Sequence, residues 1–286
     1  MLVSMKDMLQ HALRDGYAVG QFNINNLEWV GAVLSTAQQC RSPVILGVSS
    51  GTVKHMLGLK CIHDIVVNAM EYLHIDVPVA LHLDHGTSRE ACEAAIAAGF
   101  SSIMFDGSHL PFRENLAITH HLVTLAHSKG ISVEAELGTI AGSEDGIVNS
   151  EVIYADPQEC YTLVTETQVD CLAAALGSTH GLYKGKARLG FTEMKAIAER
   201  VKVPLVLHGG TGIADEDMRR AIACGTAKIN VNTENMYAWC QQVKAIFAAD
   251  TGHDVNDPRK VIAQGLQPVR EMIARRMALF GSQQRY

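Results

Sequence analysis

The chain has no apolar run approaching the roughly 20 residues that span a bilayer, so no transmembrane helix and no membrane partner are expected. It has no block of basic residues either. With 24 Lys+Arg against 30 Asp+Glu the net charge is −6, which makes nucleic acid an unexpected partner but leaves room for a local basic pocket around a phosphorylated metabolite. Cys-x-x-Cys spacing is absent. The seven cysteines (40, 61, 92, 160, 171, 224, 240) are scattered and odd in number, which excludes a disulfide framework and a zinc knuckle and suits mostly buried, reduced thiols. The opening "MLVSMKDMLQHALRDGYAV" carries Asp7, Arg14 and Asp15 where a signal peptide needs an unbroken apolar core. A soluble, cytoplasmic protein is expected.

What is present is alternation. The 286 residues, 48% hydrophobic, suit one large domain, because α/β barrels run to roughly 250 residues as a single unit. Strand-like segments occur at 17–24, 43–49, 77–85, 101–107, 132–138, 171–177, 204–210 and 227–233, separated by amphipathic runs such as "LEWVGAVLSTAQQC" and "SREACEAAIAAG". Several of these runs open on Ser, Thr or Asp and close on Gly. Eight strand–helix repeats predict a single (β/α)8 TIM barrel over 1–286, with a C-terminal helical extension after "NDPRK" (256–260). An open doubly wound sheet is the alternative. It would want Gly-x-Gly-x-x-Gly after the first strand, and "NINNLEW" has none. Two Gly-rich polar insertions, "TIAGSEDGIVNSEVIYA" and "STHGLYKGKARLG", read as mobile active-site loops.

A barrel of this kind carries its active site at the C-terminal ends of the strands, where the polar residues gather. Asn23 and Ser49 end the first two strands. In "VALHLDHG" (79–86), Ala80, His82 and Asp84 alternate with Val79, Leu81 and Leu83, and His85 follows. Asp106 and His109 lie beyond the fourth strand, Glu134 and Glu136 on the fifth, His180 after the sixth and His208 at the end of the seventh. Asn230, Asn232 and Thr233 fall on the eighth. A single histidine at a strand end reads as a hydrogen-bonded core group. Three of them, His85, His180 and His208, together with Glu136, make a donor set that suits Zn²⁺ with a position left for substrate. His82 lies one layer deeper and reads as structural, or as support for a ligand. His120 and His121 read as helix surface or packing, and the remaining histidines, His55 among them, carry no signal. Glu134 and Glu136 share a strand face and would repel unless a cation or proton separates them, or unless they are salt-bridged within the barrel. By position alone Glu144 is a solvated loop acid.

"LHGGTG" (207–212) offers backbone N–H groups after the seventh strand, where barrel enzymes frequently bind phosphate, and Lys184 lies in the preceding insertion. The residues therefore point to a divalent-metal barrel acting on a phosphorylated small molecule. Competing classes are a Schiff-base enzyme built on a lysine, a metal-dependent barrel hydrolase and a non-enzymatic binding subunit. The first needs a lysine deep in a late strand near the site, and Lys228 falls at the wrong end. The second does not explain the phosphate nest. The third would be expected to have lost Asp84, Glu144 or a histidine.

Taken in order, "YAVGQFNINN", "LHLDHG", "DGSHLPFRENL", "VEAELGTIAGSEDG", "HGLYKG", "LVLHGGTGI", "KINVNTE" and "DPRK" resemble the class II, zinc-dependent ketose-1,6-bisphosphate aldolases over nearly the whole chain. The resemblance implies a glycolytic lyase that cleaves fructose 1,6-bisphosphate to dihydroxyacetone phosphate and glyceraldehyde 3-phosphate. Tagatose 1,6-bisphosphate is the alternative substrate, with 2-deoxy-5-keto-gluconate 6-phosphate a third branch. It implies Zn²⁺ on His85, His180 and His208, with Glu136 as a fourth ligand that leaves when substrate binds. Asp84 would exchange a proton with the C4 hydroxyl, and Glu144 with the dihydroxyacetone phosphate carbon. Asn23, Ser49, Gly181, Lys184, Gly209, Thr211, Asn230, Asn232 and Thr233 would line the dihydroxyacetone phosphate site. Arg259 would hold the distal phosphate from a neighbouring subunit of a homodimer or homotetramer, and a monovalent cation (Na⁺ or K⁺) would sit near the phosphate. Two positions depart from a common family pattern: Thr211 stands where Ser is frequent, and Asn232 matches a fructose-type branch more closely than the Ala of tagatose enzymes.

Overall fold

A computed structural model describes residues 1–144, 147–149, 153–181, 185–250 and 255–286, with the backbone alone considered at 141, 143, 144 and 147–149. In chain order the strands are β1 (Val19–Asn23), β2 (Val44–Val48), β3 (Val79–Gly86), β4 (Ser102–Phe105), β5 (Ser132–Leu137), β6 (Ala141–Glu144), β7 (Ile147–Asn149), β8 (Cys171–Ala174), β9 (Thr179–His180), β10 (Leu205–Leu207) and β11 (Thr226–Val231). The helices are α1 (Met5–Asp15), α2 (Leu27–Cys40), α3 (Ser50–His55), α4 (Leu59–Tyr72), α5 (Arg89–Ala98), α6 (Phe112–His127), α7 (Pro157–Thr167), α8 (Phe191–Val201), α9 (Asp215–Ala223), α10 (Thr233–Ala249), α11 (Pro258–Gly265) and α12 (Gln267–Phe280). Strands β1 to β5, β8, β10 and β11 pair in parallel in chain order, and β11 returns to β1 to close the barrel. The (β/α)8 architecture and the C-terminal helices are those expected.

Strand periodicity sorts the side chains. On β3, Val79, Leu81 and Leu83 join the apolar shell between strands and helices, while Ala80 joins a smaller cluster at the base of the lumen. His82 and Asp84 continue the face of Ala80 toward the other end. The base is stoppered by α1, whose buried face, Met5, Met8, Leu9 and Ala12, packs on Val19, Ile45, Ala80, Met104 and Val206. With that end filled, the lumen opens only at the C-terminal ends of the strands. Side-chain caps follow the start signals in the sequence: Asn26 accepts from Trp29 N (2.9 Å), Ser88 from Ala91 N (3.2 Å) and Asp156 from Gln158 N (2.8 Å). At the other end of the chain, Val269, Ile273, Met277 and Phe280 form one buried face of α12, which packs on α2 and β1.

Four expectations need correction. The seventh and eighth barrel strands are shorter than 204–210 and 227–233, because the ladder ends at Leu207 and Val231. Asn232 is the N-cap of α10 and Thr233 its first residue, so neither belongs to a strand. The insertion after β5 is built from β6 and β7, an antiparallel pair, and β9 joins β6 in a three-stranded sheet beyond the barrel. Glu144 therefore ends a strand, although its side chain lies outside the described residues. All seven cysteines are free as expected, but only Cys92, Cys160 and Cys171 are fully buried and Cys240 is exposed.

Candidate active site

Asp84 and His85 are adjacent, yet both serve one site. Strict alternation would send Asp84 into the lumen and His85 away from it. Leu83 pairs with Ile103 and Gly86 with Phe105, so two residues of β3 oppose one of β4, which is a β-bulge. His85 itself sits at φ +50°, in the left-handed region that a non-glycine residue adopts only when its surroundings impose it. The bulge turns its imidazole toward His180 of β9 and His208, the residue after β10. The ring centroids lie 5.1 Å (85–180), 4.6 Å (85–208) and 5.8 Å (180–208) apart. One nitrogen from each ring falls within 4.8 Å of the others, forming a set that could hold a metal ion. His85 Nε2 and His208 Nδ1 are 3.0 Å apart, close to the roughly 3.3 Å between two ligands of a tetrahedral ion with ~2.05 Å bonds. Three imidazoles with one side open are the donor set of a catalytic zinc site. Glu136 is not in that set. It groups instead with His85 and Asp106, its Oε2 3.8 Å from His85 Nδ1.

The far nitrogens of two of these rings are anchored. His85 Nδ1 lies 2.9 Å from Asp106 Oδ2, and Asp106 is itself held by the Ser108 hydroxyl and N–H, 2.6 and 3.1 Å from Oδ1. His208 Nε2 lies 2.9 Å from Glu134 Oε1. A carboxylate on the outer nitrogen places the ring proton there and leaves the other lone pair for a metal. Burial pushes His208 below the ordinary histidine range, against the opposing pull of Glu134, so the neutral ligand form prevails at pH 7. Burial also raises the Asp106 and Glu134 carboxyls, but the hydrogen bond and charge of His85 in one case, and Lys228 with His208 in the other, hold both below the usual carboxylate range. The cation that relieves the Glu134–Glu136 repulsion is Lys228, whose Nζ is 2.7 Å from Glu134 Oε2 with both side chains fully buried. His82 is structural: its Nδ1 meets Ser102 Oγ at 2.8 Å, and burial, followed by Lys228, pushes its pKa down to about 3.

Asp84 lies just behind the lining of a cavity of about 520 Å³ and is 1% exposed. Asn23 Nδ2 donates to its Oδ2 and Asn230 Nδ2 approaches its Oδ1, each at 3.3 Å. These contacts are long enough for a substrate hydroxyl to replace. Burial raises the Asp84 carboxyl, but His85, His208, Lys228 and His82 together hold it below the usual range, so it is ionised. Among the expected substrate residues, Asn23, Ser49, Gly181, Gly209, Thr211, Asn230, Asn232 and Thr233 line this cavity beside His180 and His208. Lys184 lies outside the described residues. Arg259 is on α11, 87% exposed and paired with Asp257, away from the cavity of its own chain. Among the described residues no lysine lines the cavity, and Lys228 lies below it.

The glycine nest needs amendment, because Gly210 N–H is used by Asn230 O at 3.0 Å. The helix N-terminus that faces the cavity is that of α10, through Asn232 and Thr233, not that of α9. Sequence reasoning missed an apolar wall. Met236, Trp239 and Cys240 stand at i, i+3 and i+4 of α10, opposite Trp29 of α2. Helical spacing after "NVNT" was the available signal. His55, read as carrying no signal, also lines the cavity.

His180 is held by two glycines. A Cβ at Gly142 (φ +113°) would lie 2.2 Å from His180 O, and one at Gly209 (φ +65°) 2.2 Å from Thr179 O. Only glycine allows both flanking segments to close on β9. Gly209→Ala is expected to displace His180 and lower zinc content and kcat/KM together, by about 10-fold or more. Gly31→Ala, on α2 with nothing within 4 Å of the new methyl, is the control and should keep both. Metal analysis of the purified variants checks this, and a full zinc complement in Gly209→Ala would contradict it.

The family model described as "Fructose-bisphosphate aldolase class-II" matches residues 3–285. The chain is 55% identical over 281 residues to a fructose-bisphosphate aldolase of Geobacillus stearothermophilus, covering 98% of this chain and 97% of that one. It is 52% identical to a probable fructose-bisphosphate aldolase of Bacillus subtilis (strain 168), covering 98% of each. Among solved structures it resembles the YdjI aldolase of Escherichia coli K12, with a TM-score of 0.86 and 32% identity over 99% of both chains.

Proposed function

Because the chain belongs to the class II fructose-bisphosphate aldolase family, we propose that it cleaves fructose 1,6-bisphosphate reversibly to dihydroxyacetone phosphate and glyceraldehyde 3-phosphate, using Zn²⁺ held by His85, His180 and His208. The enzyme is a metal-dependent carbon–carbon lyase of glycolysis. The observation that carries the zinc assignment is the convergence of three imidazole nitrogens within 4.8 Å beside one cavity. When bound, the ion supplies Lewis acidity at the ketose carbonyl and stabilises the negative charge that develops there.

The chain's own residues do the rest. Asp84, held ionised, takes the proton of the C4 hydroxyl as the C3–C4 bond breaks, and the C4–C6 fragment leaves as the aldehyde. The electron pair left at C3 receives a proton from Glu144, completing dihydroxyacetone phosphate. The N-terminus of α10 with Asn232 and Thr233, and the loop carrying Gly209 and Thr211, face the cavity where a phosphate would bind. Gly181 and Lys184 would approach from the preceding segment, and Asn23, Ser49 and Asn230 would hold hydroxyls. Glu136, on the outer side of His85, would join the metal only in part of the cycle. Arg259, exposed on α11, would serve the distal phosphate of a second copy in a homodimer or homotetramer, and a monovalent cation would sit near the phosphate. A cytoplasmic setting fits the reaction, and no helix among the described residues is long and apolar enough to cross a membrane.

Initial rates with fructose and tagatose 1,6-bisphosphates, measured side by side, test the substrate. Fructose 1,6-bisphosphate should have a kcat/KM higher by about 10-fold or more, since the two differ only in how the C4 hydroxyl is presented to Asp84. Equal rates, or faster tagatose cleavage, would move the enzyme to the other branch.

A further inference from the structure

Beneath His208 the barrel core holds a charge pair that takes no part in lining the cavity. Lys228 of β11 and Glu134 of β5 both project into the lumen and are both 0% exposed. The Lys228 ammonium is 2.7 Å from Glu134 Oε2, Glu134 Oε1 is 2.9 Å from His208 Nε2, and His208 Nδ1 is 3.0 Å from His85 Nε2. An unbroken chain of contacts thus runs from the ammonium to the metal-facing nitrogens. His82 Nε2 at 3.6 Å and Cys171 Sγ at 3.8 Å approach the same Glu134 oxygen, but more loosely, so the ammonium is its closest anchor. Barrel lumens are ordinarily filled by branched apolar side chains, and a buried ion pair is weak support for stability because desolvation offsets much of the attraction. The pair therefore calls for a role other than holding the barrel together.

We propose that Lys228 is a positioning residue for the metal. Acting through Glu134, it pins Oε2 so that Oε1 stays on His208 Nε2, which fixes the ring orientation and keeps the ring proton on Nε2 with Nδ1 turned to the ion. This rests on the reading of the three histidines as metal ligands. Partners that orient a metal-bound histidine in this way typically change metal affinity by about 10–100-fold when removed.

The test uses the full-length enzyme, stripped of metal, with Zn²⁺ affinity measured by competition against a chromophoric chelator and the Co²⁺-loaded protein read by its visible absorption. Lys228→Met should bind Zn²⁺ about 10–100-fold more weakly and show a shifted Co²⁺ spectrum while its circular dichroism stays native. If the unpaired Glu134 prevents folding, the double variant Lys228→Met/Glu134→Gln leaves no buried charge alone and should fold. It too should bind Zn²⁺ about 10–100-fold more weakly. Because the two residues act in one chain of contacts, Glu134→Gln alone should weaken binding about as much as the double variant. Wild-type affinity and spectrum in a folded Lys228→Met, or in the folded double variant, would overturn the proposal. His208→Ala separates the two levels: if it too retains wild-type Zn²⁺ affinity, the histidine site itself is wrong and not merely the role of Lys228.

Discussion

His208→Ala is expected to lose both its metal and its turnover, whereas Asp84→Ala is expected to keep the metal and lose only the turnover. The two residues meet at Asn230, whose Nδ2 is 3.3 Å from Asp84 Oδ1 and 3.2 Å from His208 Nδ1, yet different jobs are proposed for them. His208 supplies one of three nitrogens, and removing it leaves two imidazoles, too few for a stable zinc site. Asp84 is in neither of the groups of side chains that, among the described residues, could hold a metal ion. Its carboxylate accepts from the amides of Asn23 and Asn230, and both can turn to water or substrate when it is removed. Loss of a positioned acid–base group lowers the rate by ~10²–10⁴, so Asp84→Ala should retain a full zinc complement with kcat reduced by that order. Zinc analysis beside initial rates decides the matter. Zinc missing from purified Asp84→Ala would make the aspartate a ligand.

The barrel was legible because its signal is repeated: eight apolar segments of period two, each followed by a helix of period 3.6, leave few topologies to consider. His85 and His208 were legible because each sits where one of those strands ends, and His180 because it follows the sixth. What was not legible depends on local geometry. Alternation alone says that His85 should face away from Asp84, and only the bulge opposite Met104 brings both into one site. Glu134 and Glu136 lie on one strand face, but the partner that separates their fates, Lys228, is distant in sequence and comes into range only through barrel closure. His180 was expected on a loop. It sits on a two-residue strand because Gly142 of β6 and Gly209 admit its backbone, a pairing no spacing rule reveals. The apolar wall of α10 was missed because Asn232 and Thr233 were assigned to the eighth strand, which hid the start of the helix.

Metal removal should have the largest effect of all. A Schiff-base aldolase needs a lysine amine within reach of the ketose carbonyl, and none lines the cavity among the described residues. Lys228, which projects into the lumen, is fully buried against Glu134 below the cavity and cannot reach substrate. Borohydride added with substrate should therefore leave activity intact, while a chelator should abolish it. Without the ion, the charge that develops at the carbonyl would lose its Lewis acid, and no proton transfer by Asp84 makes up for that. The most direct measurement is the titration of Zn²⁺ into the metal-free enzyme with cleavage of fructose 1,6-bisphosphate as the readout. Activity should start at background, rise linearly and level off at one equivalent of zinc per chain, and the same titration of His208→Ala should stay flat. Full cleavage by the metal-free protein, or a rise that His208→Ala reproduces, would contradict the assignment of the three histidines as the metal centre.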